Sequence, residues 1–302
     1  MAVRPLMRVG AAVAAAVAAM ALATGCGGDE AEGDSPDRVR LAVTDLTGLE
    51  ELQREFGAFV EAFESETGLA VEFFPVSDRT AASAALESER VDLVFTGPAE
   101  YVVMRERTDV EPVVSIHRPG YRSCIYATAE SAIDSLEDLA GKQVAMSDVG
   151  STSGHLGPSQ VFADAGMEMP GGVEVLTVGD AVHQALVRGD VAAAGVGCHD
   201  YEEAMAEEDD PSAFEVIAEG ENLPADVIIA RPEVDDEVVE TIRDAFEASW
   251  ESTLLPAMLE GKDNQKYDVA TLDAAPEDSD YDRVREVYRA VGVEDFSEFV
   301  GS

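Results

Sequence analysis

Apolar and polar residues alternate along the chain in blocks that predict short buried strands separated by helices. Residues 38–43 predict a first strand. The helix that follows carries apolar residues at intervals of three and four on one face: Leu49, Leu52, Phe56, Phe59, Val60 and Phe63. A T-x-x-E capping box formed by Thr47 and Glu50 predicts its start, and Gly68 predicts its end.

The same alternation continues and predicts an α/β fold with two lobes. Residues 71–76 and 91–95 predict strands on either side of a helix at 79–90, which indicates a parallel sheet covered on both faces. A second set of strands is predicted at 122–128, 143–146, 173–178 and 191–196, and a strand at 227–230 returns to the first lobe. We therefore expect a first lobe of residues 38–118 plus 223–302 and a second lobe of residues 119–222, each a mostly parallel sheet flanked by helices, with a cleft between them.

Three loops join the end of a predicted strand to the start of a helix, where open parallel sheets bind ligands. They are residues 45–48, residues 96–98 beginning at Thr96, and the segment SDVGSTSGHLGP at 147–158. In the last loop three hydroxyl residues, Ser151, Thr152 and Ser153, stand just before Gly154. Hydroxyls and free N–H groups at a helix N-terminus bind an oxyanion. The alternative is that Ser151 is only an N-cap and the rest is a turn.

The first residues have the features of a bacterial export signal. Arg4 and Arg8 precede an apolar run at 9–23 that is too short to span a bilayer. Ala23-Thr24-Gly25-Cys26 resembles a lipobox, which implies removal of residues 1–25, acylation of Cys26 and anchoring at the outer face of the cell membrane. The alternative is ordinary cleavage that leaves a free cysteine. Residues 26–37 lack large apolar side chains and predict a flexible tether.

The charge of the chain excludes several classes of partner. The sequence has 62 acidic and 20 basic side chains, which gives a formal net charge of −42. Such a surface has no basic patch for nucleic acid and no electrostatic attraction to anionic lipid. An anion can still bind an acidic protein if neutral donors and helix dipoles form its site.

Two segments resemble a known family. SLEDLAGKQVAMSDVGSTSGHLGPSQVFADAG at 135–166 and GDAVHQALVRGDVAAAGVG at 179–197 are similar to the phosphate, phosphite and phosphonate substrate-binding proteins of ABC transporters. The resemblance implies a periplasmic-binding-protein-like (type II) fold without a cofactor. It also implies that the lobes close by a hinge on a small phosphorus oxyanion and deliver it to a permease with ATPase subunits.

The resemblance also implies roles for individual residues. Ser151, Thr152, Ser153 and Gly154 would hold the oxygens of the anion, and Tyr121 would close over it. Asp226 would accept a hydrogen bond from a protonated ligand oxygen or a ligand amine. The alternatives are that Tyr121 only contributes to lobe packing and that Asp226 is a helix cap or a turn residue.

Three positions depart from the family pattern. Arg79 stands where some members have a pocket tyrosine, Gly179 or Asp180 where others have a histidine, and His199 where aminoalkylphosphonate binders have a glutamate. These departures favour phosphate, phosphite or a simple alkylphosphonate over an aminoalkylphosphonate. Arg79 has the alternative of a solvated residue paired with Glu72 or Glu87, and His199 the alternative of a strand-end residue.

The remaining cysteines and histidines indicate a disulfide rather than a metal site. Cys124 and Cys198 both lie at predicted strand ends of an exported protein, where a disulfide is expected. A metal pair of Cys198 with His199 is the rival, but the chain has neither C-x-x-C nor H-x-x-x-H spacing, so we predict no metal.

The sequence offers little for catalysis. The centre of G-S-T-S-G is threonine, so this loop is not a nucleophile elbow, and a pair of His155 with Ser151 or Ser153 is the only local hydrolase candidate. We predict no catalytic residues. Binding of another small anion such as a sulfonate, or ligand sensing, stay open as alternatives.

Overall fold

Short apolar segments form eleven strands in residues 38–167 and 172–299, which are the residues that the computed structural model describes. The predicted signal peptide at 1–25 and the tether that begins at Cys26 lie outside these residues. The strands are β1 Arg38–Val43, β2 Ala70–Phe73, β3 Leu93–Thr96, β4 Glu111–His117, β5 Ser123–Thr128, β6 Gln143–Met146, β7 Glu174–Thr177, β8 Ala193–Gly197, β9 Phe214–Glu219, β10 Asp226–Ala230 and β11 Thr271–Asp273.

Helices fill the connections between these strands. They are α1 Leu49–Thr67, α2 Ala81–Glu87, α3 Pro98–Thr108, α4 Gly157–Asp164, α5 Val182–Val187, α6 Cys198–Glu207, α7 Asp236–Ser249, α8 Leu255–Met258 and α9 Asp282–Ala290. A wide π-type turn, Thr152–Leu156, runs directly into α4, and a similar turn, Trp250–Leu254, joins α7 to α8. Within the described residues no helix is long and apolar enough to cross a membrane.

The strands form two sheets, which confirms the predicted two-lobed α/β fold. The first lobe contains a six-stranded sheet of order β11-β4-β10-β3-β1-β2, and the second a five-stranded sheet of order β7-β6-β8-β5-β9. Both sheets are mixed rather than mostly parallel. β10 lies antiparallel between β3 and β4, and β5 lies antiparallel between β8 and β9. The alternation of strands and helices could not reveal this, because β10 and β5 each enter their sheet as the chain crosses from the other lobe.

Helices cover both faces of the first sheet, so its strands are buried on both sides. Phenylalanines of α1 and α7 pack together on one face, where the rings of Phe59 and Phe246 lie 6.1 Å apart. Helices α2, α3 and α9 cover the other face. Tyr288 of α9 donates a hydrogen bond to the carbonyl of Ala99 (3.1 Å) and so supports the first turn of α3.

Of the two predicted caps of α1, the C-terminal one is confirmed and the N-terminal one is wrong. Gly68 adopts a left-handed conformation (φ 74°), and its N–H bonds to the carbonyl of Glu64, as a glycine C-cap does. The predicted capping box is wrong, because Gly48 is the N-cap and it makes no side-chain cap. The carboxylate of Glu51, one residue after the predicted partner, accepts the N–H of Thr47 instead (3.1 Å).

The predicted disulfide between Cys124 and Cys198 is confirmed. It joins β5 to the first residue of α6, and the two Cα atoms lie 4.9 Å apart. Cys124 pairs with Val196 of β8, so the bridge fixes the end of β8 against its neighbouring strand. The rival interpretation of Cys198 as a metal ligand is thereby wrong.

The chain passes between the two sheets at residues 118–122 and 220–225. These crossing segments lie side by side, since the N–H of Leu223 donates to the carbonyl of Tyr121 (2.8 Å). The N–H of Gly220 donates to the carbonyl of Ser123 in the same way (2.8 Å). Two paired connections of this kind form a narrow link between the lobes.

Candidate functional site

The hydroxyl loop, residues Ser151–Gly154, is held in shape by its own backbone. The Ser151 hydroxyl accepts the N–H of Gly154 (3.2 Å), and the Gly154 carbonyl accepts the N–H of Ser147 (2.9 Å). A Cβ atom at Gly154 would lie 2.4 Å from the Ser147 hydroxyl, so only glycine fits there. The N-cap predicted at Ser151 is present, and it also sets the direction of the N–H groups that begin the helix.

Thr152 connects the hydroxyl loop to the first lobe. Its hydroxyl accepts the N–H of Ala99 (2.9 Å) and donates to Oε2 of Glu100 (3.5 Å). Both residues belong to the first turn of α3. The adjacent Ser153 is tied to its own lobe, since its carbonyl accepts the hydroxyl of Ser123 (2.8 Å). The loop therefore closes directly against the facing lobe.

Glu100 is a fully buried carboxyl group in the wall of the first lobe that faces the hydroxyl loop. Its Oε1 accepts the hydroxyl of Thr44 (3.3 Å), which also pairs with the hydroxyl of Thr96 (3.0 Å). Burial raises the pKa of Glu100 to about 7, although the nearby Arg79 opposes the shift. Thr96, predicted as a site residue, thus lies in this wall as part of a buried hydroxyl pair.

Arg79 and Lys266 place two cations in the same wall. Arg79 forms a short ion pair with Oδ1 of Asp45 and a longer one with Oε1 of Glu100 (3.3 Å). Lys266 donates to Oδ2 of Asp45 (2.6 Å). Desolvation of Asp45 works against ionisation, but these two cations hold its pKa well below its usual range.

The alternative partners predicted for Arg79 belong to other arginines. Glu72 pairs with Arg38 (3.6 Å) and Glu87 with Arg107 (2.5 Å). Arg79 instead lies beside Gly150, the residue before the hydroxyl loop, since a Cβ atom at Gly150 would lie 3.4 Å from the Cβ of Arg79. Arg79 is therefore not paired with Glu72 or Glu87, and its role in the pocket stays a prediction.

A third cation, Arg118, lies where the chain first leaves the first lobe. Its guanidinium pairs with Asp226 (2.8 Å) and sits 3.5 Å from the centre of the Tyr121 ring. Tyr267 donates to the same oxygen, Oδ2 of Asp226 (3.0 Å), and the other oxygen accepts a second bond from Arg118 (3.0 Å). Burial raises the pKa of Tyr121, so its phenol is a neutral donor at physiological pH. Asp226 and Tyr121 thus lie together, with Arg118 between them.

His199 contacts the edge of this group rather than its centre. Its ring lies 6.2 Å from that of Tyr121, and its Nε2 is 3.1 Å from Asp200. Desolvation raises the pKa of Asp200, but the nearby His199, Lys266 and Arg118 lower it by more. The net pKa lies below its ordinary value, so the carboxyl stays ionised. Asp200 therefore brings a negative charge of the second lobe close to the cations of the first.

A small cavity lies within the first-lobe wall of the site, and all of its lining residues belong to that lobe. The cavity lies beside Asp45 and Asp226 and has a volume of about 20 Å³, which is about the room that one or two water molecules need. Phe56, Phe95 and Tyr267 form much of its wall.

His155 does not form the hydrolase pair that the sequence allowed. Its Nδ1 is buried and has no hydrogen-bond partner among the described residues. Burial lowers its pKa to about 4, which leaves the ring neutral at physiological pH. The residues described also contain no group of three side chains able to bind a metal ion.

Sequence reasoning missed several residues of this site: Thr44, Glu100, Arg118, Asp200, Lys266 and Tyr267. Asp45 lies in the predicted loop at residues 45–48 but received no role of its own. Two of them follow or precede segments that were singled out, because Glu100 lies three residues after Gly97 and Arg118 lies three before Tyr121. Lys266 is one of only three lysines in the chain, which is a signal in so acidic a protein.

Comparison with known proteins identifies the family. Residues 47–280 match the family model of the periplasmic substrate-binding protein of phosphonate ABC transporters. The chain belongs to this family. Its members are substrate-binding proteins of ABC transporters and not enzymes, and they act outside the cytoplasm.

Individual relatives agree with this assignment. The chain is 28% identical over 310 residues to the phosphate-import protein PhnD of Mycolicibacterium smegmatis. The aligned region covers 94% of this chain and 96% of the relative. The fold is similar to that of the binding component of an ABC phosphonate transporter from Pseudomonas aeruginosa. The TM-score is 0.69 at 21% identity, over 83% of this chain and 85% of that one.

A further solved structure carries a ligand. PhnD1 of Prochlorococcus marinus in complex with methylphosphonate has a TM-score of 0.68 at 18% identity, over 84% of this chain and 98% of that chain. Aliphatic sulfonate-binding proteins share the fold as well, for example SsuA of Escherichia coli with a TM-score of 0.60 at 16% identity, over 87% of this chain and 96% of that chain. At these identities the likeness establishes the fold and not the ligand.

Proposed function

We propose that this phosphonate-transporter family member captures a small phosphorus oxyanion, either phosphate, phosphite or a simple phosphonate, in the cleft between its lobes. It then delivers the ligand to an ABC permease with its ATPase subunits. Family membership and the phosphate and methylphosphonate named for two relatives support this ligand class.

One observation carries the proposal: the hydroxyl loop faces a wall that contains Arg79, Arg118 and Lys266. A chain with 20 basic residues and 62 acidic ones concentrates three cations in one cleft. Hydroxyls and helix N–H groups on one side and cations on the other give an anion donors from both lobes. We assign Ser151, Thr152, Ser153 and Gly154 to the oxygens of the ligand.

The remaining predicted residues take supporting roles. Arg79 would contribute charge, and Tyr121 and Asp226 would position Arg118 at the link between the lobes. Thr96 and His199 lie at the edges of the site. Asp226 is already bonded by Arg118 and Tyr267, so a protonated ligand would share this carboxylate with both of them.

Capture would proceed by hinge closure about residues 118–122 and 220–225. The paired backbone of these two segments gives the lobes a single axis to turn on. Thr152 accepts the N–H of Ala99 across the cleft and would re-form that bond after closure, which leaves its hydroxyl proton for the ligand.

We also propose that a lipid on Cys26 anchors the protein to the outer face of the membrane, through the tether at 26–37. In a bacterial host the wild-type protein should partition into the detergent phase, and Cys26→Ser should not. Detergent-phase partitioning unaffected by Cys26→Ser would refute the anchor.

Calorimetry tests the ligand and the site together. The purified protein should bind phosphate, phosphite or methylphosphonate and should bind 2-aminoethylphosphonate and sulfate at least about tenfold more weakly. The double variant Ser151→Ala/Thr152→Ala should lose at least about tenfold in affinity, since it removes two donors. Binding of sulfate or a sulfonate alone would move the protein to sulfur transport.

A matched control separates the site from general effects of the substitutions. Ser252 and Thr253 form an adjacent Ser–Thr pair in the first lobe, whose hydroxyls contact each other (3.4 Å). Ser252→Ala/Thr253→Ala should leave affinity unchanged. Equal losses in both double variants would remove the hydroxyl loop from the site.

A further inference from the structure

Three carboxyl groups line the wall of the first lobe, and the cations engage them unequally. Asp45 has one oxygen bonded by Arg79 and the other by Lys266, and Asp226 has its oxygens bonded by Arg118 and Tyr267. These carboxylates are therefore neutralised on both sides.

Glu100 is engaged differently. Its Oε1 shares the Arg79 guanidinium with Asp45 at 3.3 Å and accepts the hydroxyl of Thr44, also at 3.3 Å. Its Oε2 faces Thr152 of the hydroxyl loop at 3.5 Å, which is at the limit of hydrogen-bond distance. Oε2 thus retains acceptor capacity at the place where the two lobes meet on the ligand.

We propose that Glu100 is a specificity-determining residue, which shares one proton with an oxygen of the bound anion and thereby selects an oxyanion that carries its own O–H. This inference rests on the proposed function, since it concerns the same cleft. The substrate class it favours is hydrogenphosphate, which keeps a P–OH throughout the physiological pH range.

The physical reason is the cost of two unprotonated oxygens facing each other in a buried site. A hydrogenphosphate hydroxyl can donate to the carboxylate of Glu100, so that one proton satisfies both groups. Sulfate and sulfonates bring no proton, and their oxygens would meet the carboxylate as two unpaired negative charges. Such an anion binds well only after Glu100 has taken a proton from solvent.

Several groups around Glu100 influence its ionisation. The charged and titratable groups that face it are Arg79 from the loop before α2, Asp45 after β1, Asp226 of β10, Tyr121 from the crossing segment and Tyr288 of α9. Burial dominates and raises the pKa of Glu100 to about 7, Arg79 lowers it and the two aspartates raise it. The carboxyl therefore changes its charge within the physiological range.

A distinctive pH dependence follows. Above about pH 7 the fraction of protonated Glu100 falls tenfold per pH unit, and the affinity for sulfate should approach the same slope. Affinity for phosphate should change far less, because hydrogenphosphate supplies the proton. Methylphosphonate loses its last ionisable proton near neutrality. The pH dependence of its affinity should therefore resemble that of phosphate at low pH and that of sulfate at high pH.

Calorimetric titrations of phosphate, methylphosphonate and sulfate between about pH 6 and about pH 9 test this. In the wild type the ratio of phosphate affinity to sulfate affinity should rise by roughly tenfold per pH unit at the alkaline end of this range. Glu100→Gln offers a permanent N–H donor, so its sulfate affinity should lose the pH slope and its phosphate preference near pH 9 should fall at least about tenfold.

The control removes a buried carboxylate of the same lobe outside the cleft. Asp92 precedes β3, at the opposite end of the strand from Thr96, and pairs with Arg40 and Arg231. Asp92→Asn should keep both the preference and the slope. A slope lost equally in Asp92→Asn and Glu100→Gln would overturn the assignment to Glu100.

The remaining outcomes separate this inference from the proposed function. A wild-type protein that binds phosphate with a pH-independent preference, or a Glu100→Gln variant that keeps preference and slope, overturns the role of Glu100 alone. A wild-type protein that binds only sulfur oxyanions overturns both. If Glu100→Gln does not fold, the wild-type slope for sulfate decides, because a flat profile contradicts a shared proton.

Discussion

The two walls of the cleft differ in the chemistry that they offer to the proposed ligand. The wall of the second lobe is the hydroxyl loop, whose donors are uncharged and are fixed by local bonds such as that from the Gly154 N–H to the Ser151 hydroxyl. The wall of the first lobe is charged, and its cations Arg79, Lys266 and Arg118 are each paired with a carboxylate. We therefore expect the neutral wall to fix the position of the ligand and the charged wall to select it by charge.

This difference explains how a strongly acidic protein can hold an anion. Uncharged amides and alcohols at a helix start attract an oxyanion without a counter-charge. Our expectation that such donors do most of the binding stays a prediction, but the cations of the facing wall add to it. Because these cations are compensated by Asp45 and Asp226, they do not attract every anion that approaches.

The largest expected effect comes from removing the disulfide that joins β5 to α6 in the lobe of the neutral wall. Replacing Cys124 and Cys198 by alanine opens a loop with a sequence separation of 74 residues. By chain entropy, the free energy of unfolding should fall by about 4 kcal/mol. Urea unfolding without reductant measures this.

Among the described residues the charged wall has no such covalent link, so reduction of the disulfide should not affect it directly. Reduced wild-type protein should unfold like the double alanine variant. A loss below about 1 kcal/mol in both would mean that packing alone holds the second lobe in shape.

The next effect is the pH dependence of the free energy of unfolding, which Glu100 of the charged wall should influence. The pKa of Glu100 in the folded state, about 7, lies above its ordinary value of 4.5, so the folded state binds this proton more tightly. The stability that it contributes is present below about pH 4.5 and is lost as pH rises through 7. Glu100→Gln should therefore gain stability over the wild type, on the order of 3 kcal/mol by pH 8.

Asp45→Asn is the control of opposite sign. Arg79 and Lys266 hold the pKa of Asp45 below its usual range despite desolvation, so its carboxylate contributes stability above about pH 4. The asparagine variant should be less stable than the wild type at neutral pH. Urea unfolding near pH 5 and near pH 8 distinguishes the two, and a Glu100→Gln variant that is equally destabilised at both values contradicts the assignment.

The neutral wall was largely predictable from sequence, and the charged wall was not. Ser151, Thr152 and Ser153 are adjacent, and their spacing to Gly154 and to the helix is local, so one segment of sequence contains the whole arrangement. The Cys124–Cys198 bridge could be predicted because few cysteines were available to pair.

The charged wall depends instead on contacts between distant segments. Asp45 and Lys266 are 221 residues apart, and Arg118 and Asp226 are 108 apart. Nothing in the local pattern around Lys266 indicates which sheet end it reaches. The antiparallel insertion of β10, which brings Asp226 beside Arg118, is a property of the complete topology.

The smallest effect tests how Tyr121 joins the two walls. Its ring covers Arg118 at 3.5 Å, so stacking and not the hydroxyl should account for most of its contribution. Tyr121→Phe keeps this stack and should change phosphate affinity by less than about threefold, whereas Tyr121→Ala should lose roughly fivefold or more. Calorimetry near pH 7 measures both. If Tyr121→Phe weakens binding as much as Tyr121→Ala, the phenol hydroxyl itself contacts the ligand, and Tyr121 then belongs with the donors of the hydroxyl loop.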